Sequence, residues 1–167
     1  NTSIEDLRKQ HEKTNRVLAK TPEGMTITPI TIHGRKAEWL IPDNAPETKA
    51  IFYTHGGGYV SGSCEDHRAI VSKMAKFTGI RILQFDYRLA PENPFPAAVE
   101  DAIETYQWLL EQGFSPKNII IAGESAGGGL CLSTLVALRD KAIPLPKAGI
   151  AISPWADISC SGESYKS

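Results

Sequence analysis

The sequence predicts an α/β domain with a mostly parallel sheet and helices on both faces of that sheet. Its 167 residues contain short apolar runs that are nearly continuous, a pattern typical of parallel strands covered on both faces. These runs alternate with stretches of helical periodicity, and such alternation favours parallel strands joined by right-handed crossovers. The runs are AIFYTH, GIRILQFD, NIIIAG and AGIAIS.

The N-terminal segment, residues 1–24, is predicted to hold a helix. Thr2 is followed at the third place by Glu5, which is a helix-start pattern. The apolar positions after this start are sparse, so the helix needs a partner surface. The turn-forming stretch TPEG, residues 21–24, ends it.

A hairpin is predicted next. MTITPITIHG alternates from Met25 and shifts register at Ile30, and KAEWLI provides a second extended run. The turn between them lies at His33 to Arg35. A turn-rich stretch, PDNAPET (residues 42–48), then leads into the first of the continuous apolar runs.

Helical patterns separate the later strands. Two of them show an apolar stripe, which we expect to lie on the sheet. The helix predicted from Ala126 to Arg139 is apolar nearly all round, so we expect it to be buried more deeply than the others. The stripes consist of Ile70, Met74 and Phe77 in the first helix and of Val99, Ile103, Tyr106 and Leu110 in the second.

The composition argues against several classes of function. A formal net charge of −1 with no basic stripe gives no reason to expect a nucleic-acid partner. No apolar run approaches the ~20 residues of a membrane span, so neither a span nor a signal peptide is expected, and a cytoplasmic location is the simplest interpretation. The cysteines lack a CxxC pair, which favours buried or idle thiols over a disulfide framework or a zinc site. They are Cys64, Cys131 and Cys160.

The pentapeptide GESAG, residues 123–127, matches the GxSxG pattern of a nucleophilic serine, with Glu124 at its first variable position. A serine on a sharp strand-to-helix turn has a strained backbone, and a side chain at Gly123 or Gly127 would strike a neighbouring strand or helix. The strand and the helix that this motif requires are both predicted around Ser125. For the pentapeptide alone, a turn that merely links a strand to a helix is the alternative, because glycine and serine dominate turns.

A second motif, HGGG, directly follows the apolar run AIFYT. Glycines at 56–58 let backbone N–H groups turn inward with no side chain in the way of a substrate. Two N–H groups of this loop and the N–H of Ala126 could surround one developing oxyanion, and each such donor is worth about 10²- to 10³-fold in rate. The alternatives are a phosphate loop and a hinge, but the phosphate-loop spacings are absent. We expect His55 to orient the loop as a hydrogen-bond donor rather than to act as the base.

Four segments in unbroken order resemble the hormone-sensitive-lipase-like branch of the α/β-hydrolase superfamily. They are HGGGYVSG, FDYRLAPENPFPAAVEDA, GESAGGGL and ISPWADIS. The resemblance implies an α/β-hydrolase fold that needs no metal or organic cofactor. It implies that Ser125 is the nucleophile, that Gly56 and Gly57 supply oxyanion-hole amides beside Ala126, and that Gly58 shapes the loop.

The same resemblance implies roles for other segments. Residues 1–24 would contribute a helix to a cap over the site, and residues 25–167 would form the N-terminal, incomplete part of the catalytic domain. Asp86, Tyr87 and Arg88, in the stretch DYRLAPE, would be scaffolding residues. Asp86 would then be a structural acid and not the triad acid.

No histidine follows Ser125, although the α/β-hydrolase order along the chain is Ser, then Asp or Glu, then His. A serine without a base is a poor nucleophile at neutral pH. The acids after Ser125 give no evident partner, and the resemblance gives Asp157 no triad role. These acids are Asp140, Asp157 and Glu163, and the four histidines of the chain are His11, His33, His55 and His67.

The last apolar run, AGIAIS, reads as an interior strand and would invite aggregation as a bare edge. We therefore expect the C-terminal strands, the triad Asp and the His to belong to a second chain, a cleaved fragment or a segment beyond these residues. A homodimer of the whole enzyme is also open.

The favoured hypothesis is a serine carboxylesterase that acts on small, short-acyl esters through an acyl-enzyme on Ser125, with this chain alone inactive. One alternative is a catalytically inactive small-molecule receptor on the same scaffold. The other is an amidase or arylformamidase, since those enzymes share both glycine motifs.

Overall fold

The computed structural model describes residues 3–6, 8–10 and 21–163. The strands are β1 (Met25–Ile32), β2 (Arg35–Pro42), β3 (Ala50–Thr54), β4 (Arg81–Phe85), β5 (Ile119–Glu124) and β6 (Ala148–Ile152). The helices are α1 (Cys64–Thr78), α2 (Ala97–Glu111) and α3 (Ala126–Asp140), and a short 3₁₀ helix spans Pro116–Asn118.

The described strands form one six-stranded sheet in the order β1-β2-β4-β3-β5-β6. Its β4, β3, β5 and β6 strands are parallel, whereas β1 and β2 pair antiparallel with each other and β2 pairs antiparallel with β4. The predicted hairpin and the predicted parallel strands are both confirmed. The hairpin turn places His33 and Gly34 at positive φ, 49° and 80°, which matches the right-handed twist of the strands.

Buried side chains fill both faces of the sheet. Along β3, Phe52 belongs to the cluster that packs on α2 and α3, whereas Ile51 and Tyr53 belong to the cluster that packs on α1. Successive strand residues point to opposite faces, so a strand between two helical layers must be apolar at every position. All five residues of β3 are buried, which explains its continuous apolar run.

The predicted stripe on α1 is wrong for two of its three residues, whereas Met74 is partly buried against the cluster that packs on α1. Ile70 and Phe77 are 59% and 94% exposed, and the buried face is made of smaller residues. Counting only large apolar residues missed these small side chains. They are Cys64, Ala69, Val71, Ser72 and Ala75.

The α2 stripe and the α3 burial are confirmed in part. Ile103 and Tyr106 of α2 are buried, whereas Val99 and Leu110 are only partly so. The first six residues of α3 are buried, but Leu132 and Val136 are exposed. The deep burial predicted for α3 therefore holds for the half nearest Ser125.

The strand prediction for β6 is right, but within the described residues β6 is an edge strand with β5 as its one neighbour. Ile150 and Ile152 are 46% and 42% exposed. A Cβ on Gly149, the residue before Ile150, would face Leu135 of α3, so Ile150 and Ile152 point to the opposite face of the sheet. The predicted interior position of this strand is not met within the described part of the chain.

The predicted N-terminal helix is described only in part. Residues 4–6 and 8–10 are helical, while Thr2 and residues 11–20, with His11, lie outside the described residues. The guanidinium of Arg8 donates to the carbonyl oxygen of Val60 (2.7 Å) and to both carboxylate oxygens of Glu92 (2.9 and 2.8 Å). The division into a cap region, residues 1–24, and a catalytic part, residues 25–167, stays a prediction.

None of the helices in the described ranges has the length and apolarity needed to cross a membrane. Within those ranges, no group of three or more His, Cys, Asp or Glu side chains is placed to hold a metal ion. The thiols of Cys64 and Cys131 are buried, that of Cys160 is half-buried, and all three are unpaired. The cytoplasmic location stays a prediction.

Replacing Val71 by alanine should lower the free energy of unfolding by about 2 kcal/mol, because two buried methyl groups are lost and a cavity remains. Lys73→Ala, at an exposed position of the same helix, should change it by less than about 0.5 kcal/mol. Urea unfolding followed by circular dichroism measures both. Equal losses for the two variants would contradict the assigned buried face of α1.

Candidate active site

Ser125 lies on the turn between β5 and α3, with an unusual backbone conformation of φ 54° and ψ −122°. Such a conformation costs about 1–3 kcal/mol and persists only where the surroundings impose it. Here the N–H of Ser125 donates to the carbonyl oxygen of Ile152 (3.0 Å), and its own carbonyl accepts from Gly129 (3.0 Å) and Trp155 (2.8 Å). The Ser125 side chain is exposed, so the turn presents its hydroxyl to solvent.

The glycines of the pentapeptide make this turn possible. A Cβ on Gly123 would overlap the carbonyl oxygen of Gly127 and the hydroxyl of Thr54. A Cβ on Gly127 would overlap the carbonyl oxygens of Thr54 and His55. The steric reason predicted for both glycines is therefore present in the structure, and the neighbouring element that imposes it is the end of β3.

His55 begins the glycine loop and is fully buried. Its ring Nδ1 lies 2.8 Å from the carbonyl oxygen of Gly56, which can only accept, so Nδ1 carries the proton. The ring stacks on Tyr87 with centroids 4.2 Å apart, and the Tyr87 hydroxyl donates to the carbonyl of His55 (2.7 Å). Burial is the main cause that lowers the pKa of His55 to about 4, so the ring is neutral at pH 7 and orients the loop.

The structure corrects the predicted role of Gly56. Its N–H donates to Oε1 of Glu124 at 2.6 Å, so this amide is already engaged and is not free for an oxyanion. The amides of Gly57, Gly58 and Ala126 make no hydrogen bond to any residue in the described part of the chain. Gly57 has a φ of 121°, and its carbonyl oxygen accepts from Val60 and Ser61 in the next turn of the loop.

Glu124 receives donors from three directions. Besides Gly56, the hydroxyl of Tyr53 donates to its Oε2, and Nε2 of His67 lies 3.1 Å from its Oε1. The Nδ1 of His67 lies 3.1 Å from the carbonyl oxygen of Ser63. Both ring nitrogens of His67 thus face acceptors, which favours the doubly protonated ring and leaves neither nitrogen for Ser125.

The pKa shifts of this pair agree with its geometry. Burial acts to lower the pKa of His67, but the hydrogen bond and the charge of Glu124 outweigh it, and the pKa of His67 is raised above its ordinary 6.5. Burial acts to raise the pKa of Glu124, but hydrogen bonds from His67 and Tyr53 outweigh it, and the pKa of Glu124 is lowered below its ordinary 4.5. The two groups form an ion pair at mildly acidic pH.

Sequence reasoning missed this network. Glu124 was only the variable position of the pentapeptide, and neither Tyr53 nor His67 belongs to a motif. The one available signal was an ionisable residue at a variable position next to the candidate nucleophile. No spacing rule connects it with a histidine in a helix 57 residues earlier in the chain.

The DYRLAPE residues act within the scaffold. Oδ1 of Asp86 accepts from the N–H of Cys64 at 2.6 Å, at the start of α1. The fully buried carboxylate of Asp101 accepts from the backbone N–H of Arg88 (2.8 Å) and pairs with the guanidinium groups of Arg88 (2.8 Å) and Arg35 (3.0 Å). These contacts agree with the scaffolding roles that the resemblance implied.

A base for Ser125 is missing among the described residues. Its hydroxyl makes no hydrogen bond to any of them, and His33 lies in the hairpin turn. Asp140 pairs with Arg139, and exposed Asp157 accepts from the hydroxyl groups of nearby serines, which lower its pKa to about 2. The described part of the chain therefore holds an exposed serine and unpartnered backbone amides, but neither a base for that serine nor an acid to orient a base.

An alpha/beta hydrolase fold family model matches residues 51–167. An acetyl-hydrolase from Streptomyces hygroscopicus is 46% identical over 136 residues, which cover 81% of this chain and 45% of that protein. The crystal structure of an esterase/lipase from an uncultured bacterium superposes with a TM-score of 0.94 at 45% identity, over 99% of this chain and 56% of that one.

An esterase from the bacterial hormone-sensitive lipase family superposes with a TM-score of 0.93 at 42% identity, over 98% of this chain and 55% of that one. This chain therefore spans about half the length of the proteins that it resembles.

Gly127→Ala should destabilise the fold by about 1–2 kcal/mol more than Gly128→Ala, since overpacking typically costs about 1–3 kcal/mol and the overlap at Gly127 is the closer one. The two glycines are neighbours in α3, but a Cβ on Gly128 would lie 3.0 Å from Pro154, whereas a Cβ on Gly127 would overlap the carbonyl oxygen of Thr54 in β3. Thermal unfolding of both variants measures the difference. Similar losses would show that the approach of the turn to β3 is not limiting.

The ion pair predicts a pH-dependent stability. Because the folded pKa of His67 is raised, its contribution is complete below pH 6.5 and is lost as the pH rises through the folded pKa. Because the folded pKa of Glu124 is lowered, its contribution is present above pH 4.5 and is lost as the pH falls through the folded pKa. The free energy of unfolding of the wild type, measured in urea, should exceed that of His67→Gln by about 1 kcal/mol at about pH 5.5. At about pH 8.5 the difference should be less than half of that.

His33→Asn is the control for that measurement, since His33 is exposed in the hairpin turn and Asn tolerates its positive φ. The difference between wild type and His33→Asn should not change with pH. A wild-type advantage over His67→Gln that stays constant or grows from acid to alkaline pH would refute the ion pair.

Proposed function

The chain belongs to the alpha/beta hydrolase family, in its hormone-sensitive-lipase-like branch, and from that premise we propose that it carries the nucleophile and oxyanion hole of a serine carboxylesterase for short-acyl esters. The observation that carries the proposal is the presentation of Ser125 on a rigid turn beside unpartnered backbone amides. The name acetyl-hydrolase of one relative supports a short acyl group.

In the proposed reaction, Oγ of Ser125 attacks the ester carbonyl carbon, and the carbonyl oxygen becomes an oxyanion. The amides of Gly57 and Ala126 donate to that oxyanion, and Gly58 supplies a third candidate donor. The alcohol then leaves with a proton, which forms an acyl ester on Ser125. Water attacks this acyl-enzyme through a second oxyanion, and the carboxylic acid is released.

The amides suit this task because backbone donors are already oriented before the charge develops. Donors fixed in advance stabilise the transition state without reorganisation when the oxyanion forms. Gly57 and Gly58 have no Cβ to shield their N–H groups, and Ala126 lies at the N-terminus of α3, where the helix dipole also favours negative charge.

A histidine must take the proton of Ser125 and return it to the alcohol, and an acid must orient that histidine. We place both in the half of the enzyme that this chain does not include, whether a second polypeptide, a fragment or a further segment. The position of β6 at the edge of the described sheet supports this placement, since a further strand can pair with it and the exposed side chains of Ile150 and Ile152 can then be covered. A homodimer of the complete enzyme stays a prediction.

A fluorophosphonate probe tests the nucleophile in the complete enzyme, meaning this chain together with the portion that carries the histidine. Mass spectrometry should find the probe on Ser125, and Ser125→Ala should abolish labelling and lower kcat for p-nitrophenyl acetate by about 10⁴-fold or more. Ser133→Ala, an exposed serine of α3, should leave both unchanged.

Other outcomes separate the alternatives. A complete enzyme that binds small molecules but resists labelling would indicate a receptor instead of an enzyme. Faster turnover of anilides or formamides than of matched esters would indicate an amidase or arylformamidase. A p-nitrophenyl octanoate rate above the acetate rate would refute the short-acyl preference.

A further inference from the structure

Four segments of the fold meet at the carboxylate of Glu124. The glycine loop contributes the N–H of Gly56, β3 contributes the hydroxyl of Tyr53, and α1 contributes Nε2 of His67. The fourth segment is the nucleophile turn itself, since Ser125 is the next residue in the chain. We propose that Glu124 is a positioning residue, which fixes the oxyanion amides relative to the nucleophile, and this inference rests on the proposed function.

A short path through the chain connects the two parts of the site. Ser125 is one residue from Glu124 on one side, and Gly57 is one residue from Gly56 on the other. The link that closes this path is the 2.6 Å hydrogen bond from the Gly56 N–H to Oε1 of Glu124. Charge-assisted bonds of this kind are short and about twice as strong as neutral ones, so the path is stiff.

Gly56 is also explained by this role. A Cβ at Gly56 would lie 2.8 Å from the same Oε1, and 3.1 Å from the carbonyl oxygen of Glu124. The first glycine of the loop is therefore required because the carboxylate needs that space. The second and third glycines are left to face a substrate with their amides free.

The surroundings hold the carboxylate in one orientation. The Tyr53 hydroxyl fixes one oxygen, while His67 and Gly56 share the other. His67 is itself held by Ser63 and stacks on His55, with ring centroids 5.1 Å apart. Nδ1 of His55 donates to the carbonyl oxygen of Gly56. Gly56 is therefore held at both its N–H and its carbonyl group.

A merely structural ion pair would affect stability and leave the chemistry of the folded enzyme alone. A positioning residue affects groups that act chiefly in the transition state, so its loss should lower kcat with little change in KM. This split between kcat and KM distinguishes the two roles.

The experiment measures p-nitrophenyl acetate hydrolysis by the complete enzyme and by Glu124→Ala and Glu124→Gln. Glu124→Ala should lower kcat by about 10²-fold, the loss typical of one oxyanion donor, with KM within about 3-fold of wild type. Glu124→Gln keeps the shape and one acceptor oxygen, so kcat should fall by about 10-fold. Glu111→Gln, at an exposed position of α2, is the matched control and should behave as wild type.

Amide hydrogen exchange gives a readout that is independent of turnover. In Glu124→Gln, exchange over the peptide that contains residues 56–58 should accelerate, while peptides of α2 should keep their wild-type rates. If Glu124→Ala does not fold, Glu124→Gln decides: a wild-type kcat in that variant overturns the inference.

The two proposals fail in different ways. An active, Ser125-labelled wild type whose Glu124 variants keep wild-type kcat overturns this inference alone. A fall in kcat that is matched by an equally large rise in KM, with unchanged exchange at residues 56–58, also overturns it. A wild type without Ser125-dependent turnover overturns the proposed function, and the inference with it.

Discussion

The close approach of the Ser125 turn, between β5 and α3, to the end of β3 is the constraint on which the candidate site depends. The carbonyl oxygens of Thr54 and His55 occupy the space that any side chain at Gly127 would need. Ser125 has a positive φ of 54° in the same turn, between β5 and α3. The packed core around the turn supplies the stability that offsets this local backbone strain.

Polar groups at the same end of the sheet fix the glycine loop in one position relative to the Ser125 turn. Burying Glu124 and His67 opposes their ionisation, but each compensates the other and both find further hydrogen-bond partners. A satisfied network of this kind is directional, whereas apolar contacts are not, so it can fix the orientation of a glycine loop that has no side chains to pack. His55 contributes in its neutral form, as a buried donor.

The two halves of the chemistry make different demands on a chain. An oxyanion hole needs backbone N–H groups held rigidly, and the proposed donors come from the glycine loop and the first turn of α3. A general base needs a side chain that reaches the serine hydroxyl from the open side. Ser125 is exposed on that side, so a base can approach without disturbing the packed elbow.

The sequence by itself determined the succession of strands and helices along the chain, the sharp turn at Ser125 and the glycine loop, because these depend on local periodicity and on where glycine is sterically required. Only the tertiary structure decided which amides are free, since the carboxylate that engages Gly56 belongs to β5. It also decided that α1 buries Val71 and Ala75 and exposes Phe77. Local pattern reports what a segment can do, whereas partner choice depends on distances between segments far apart in the chain.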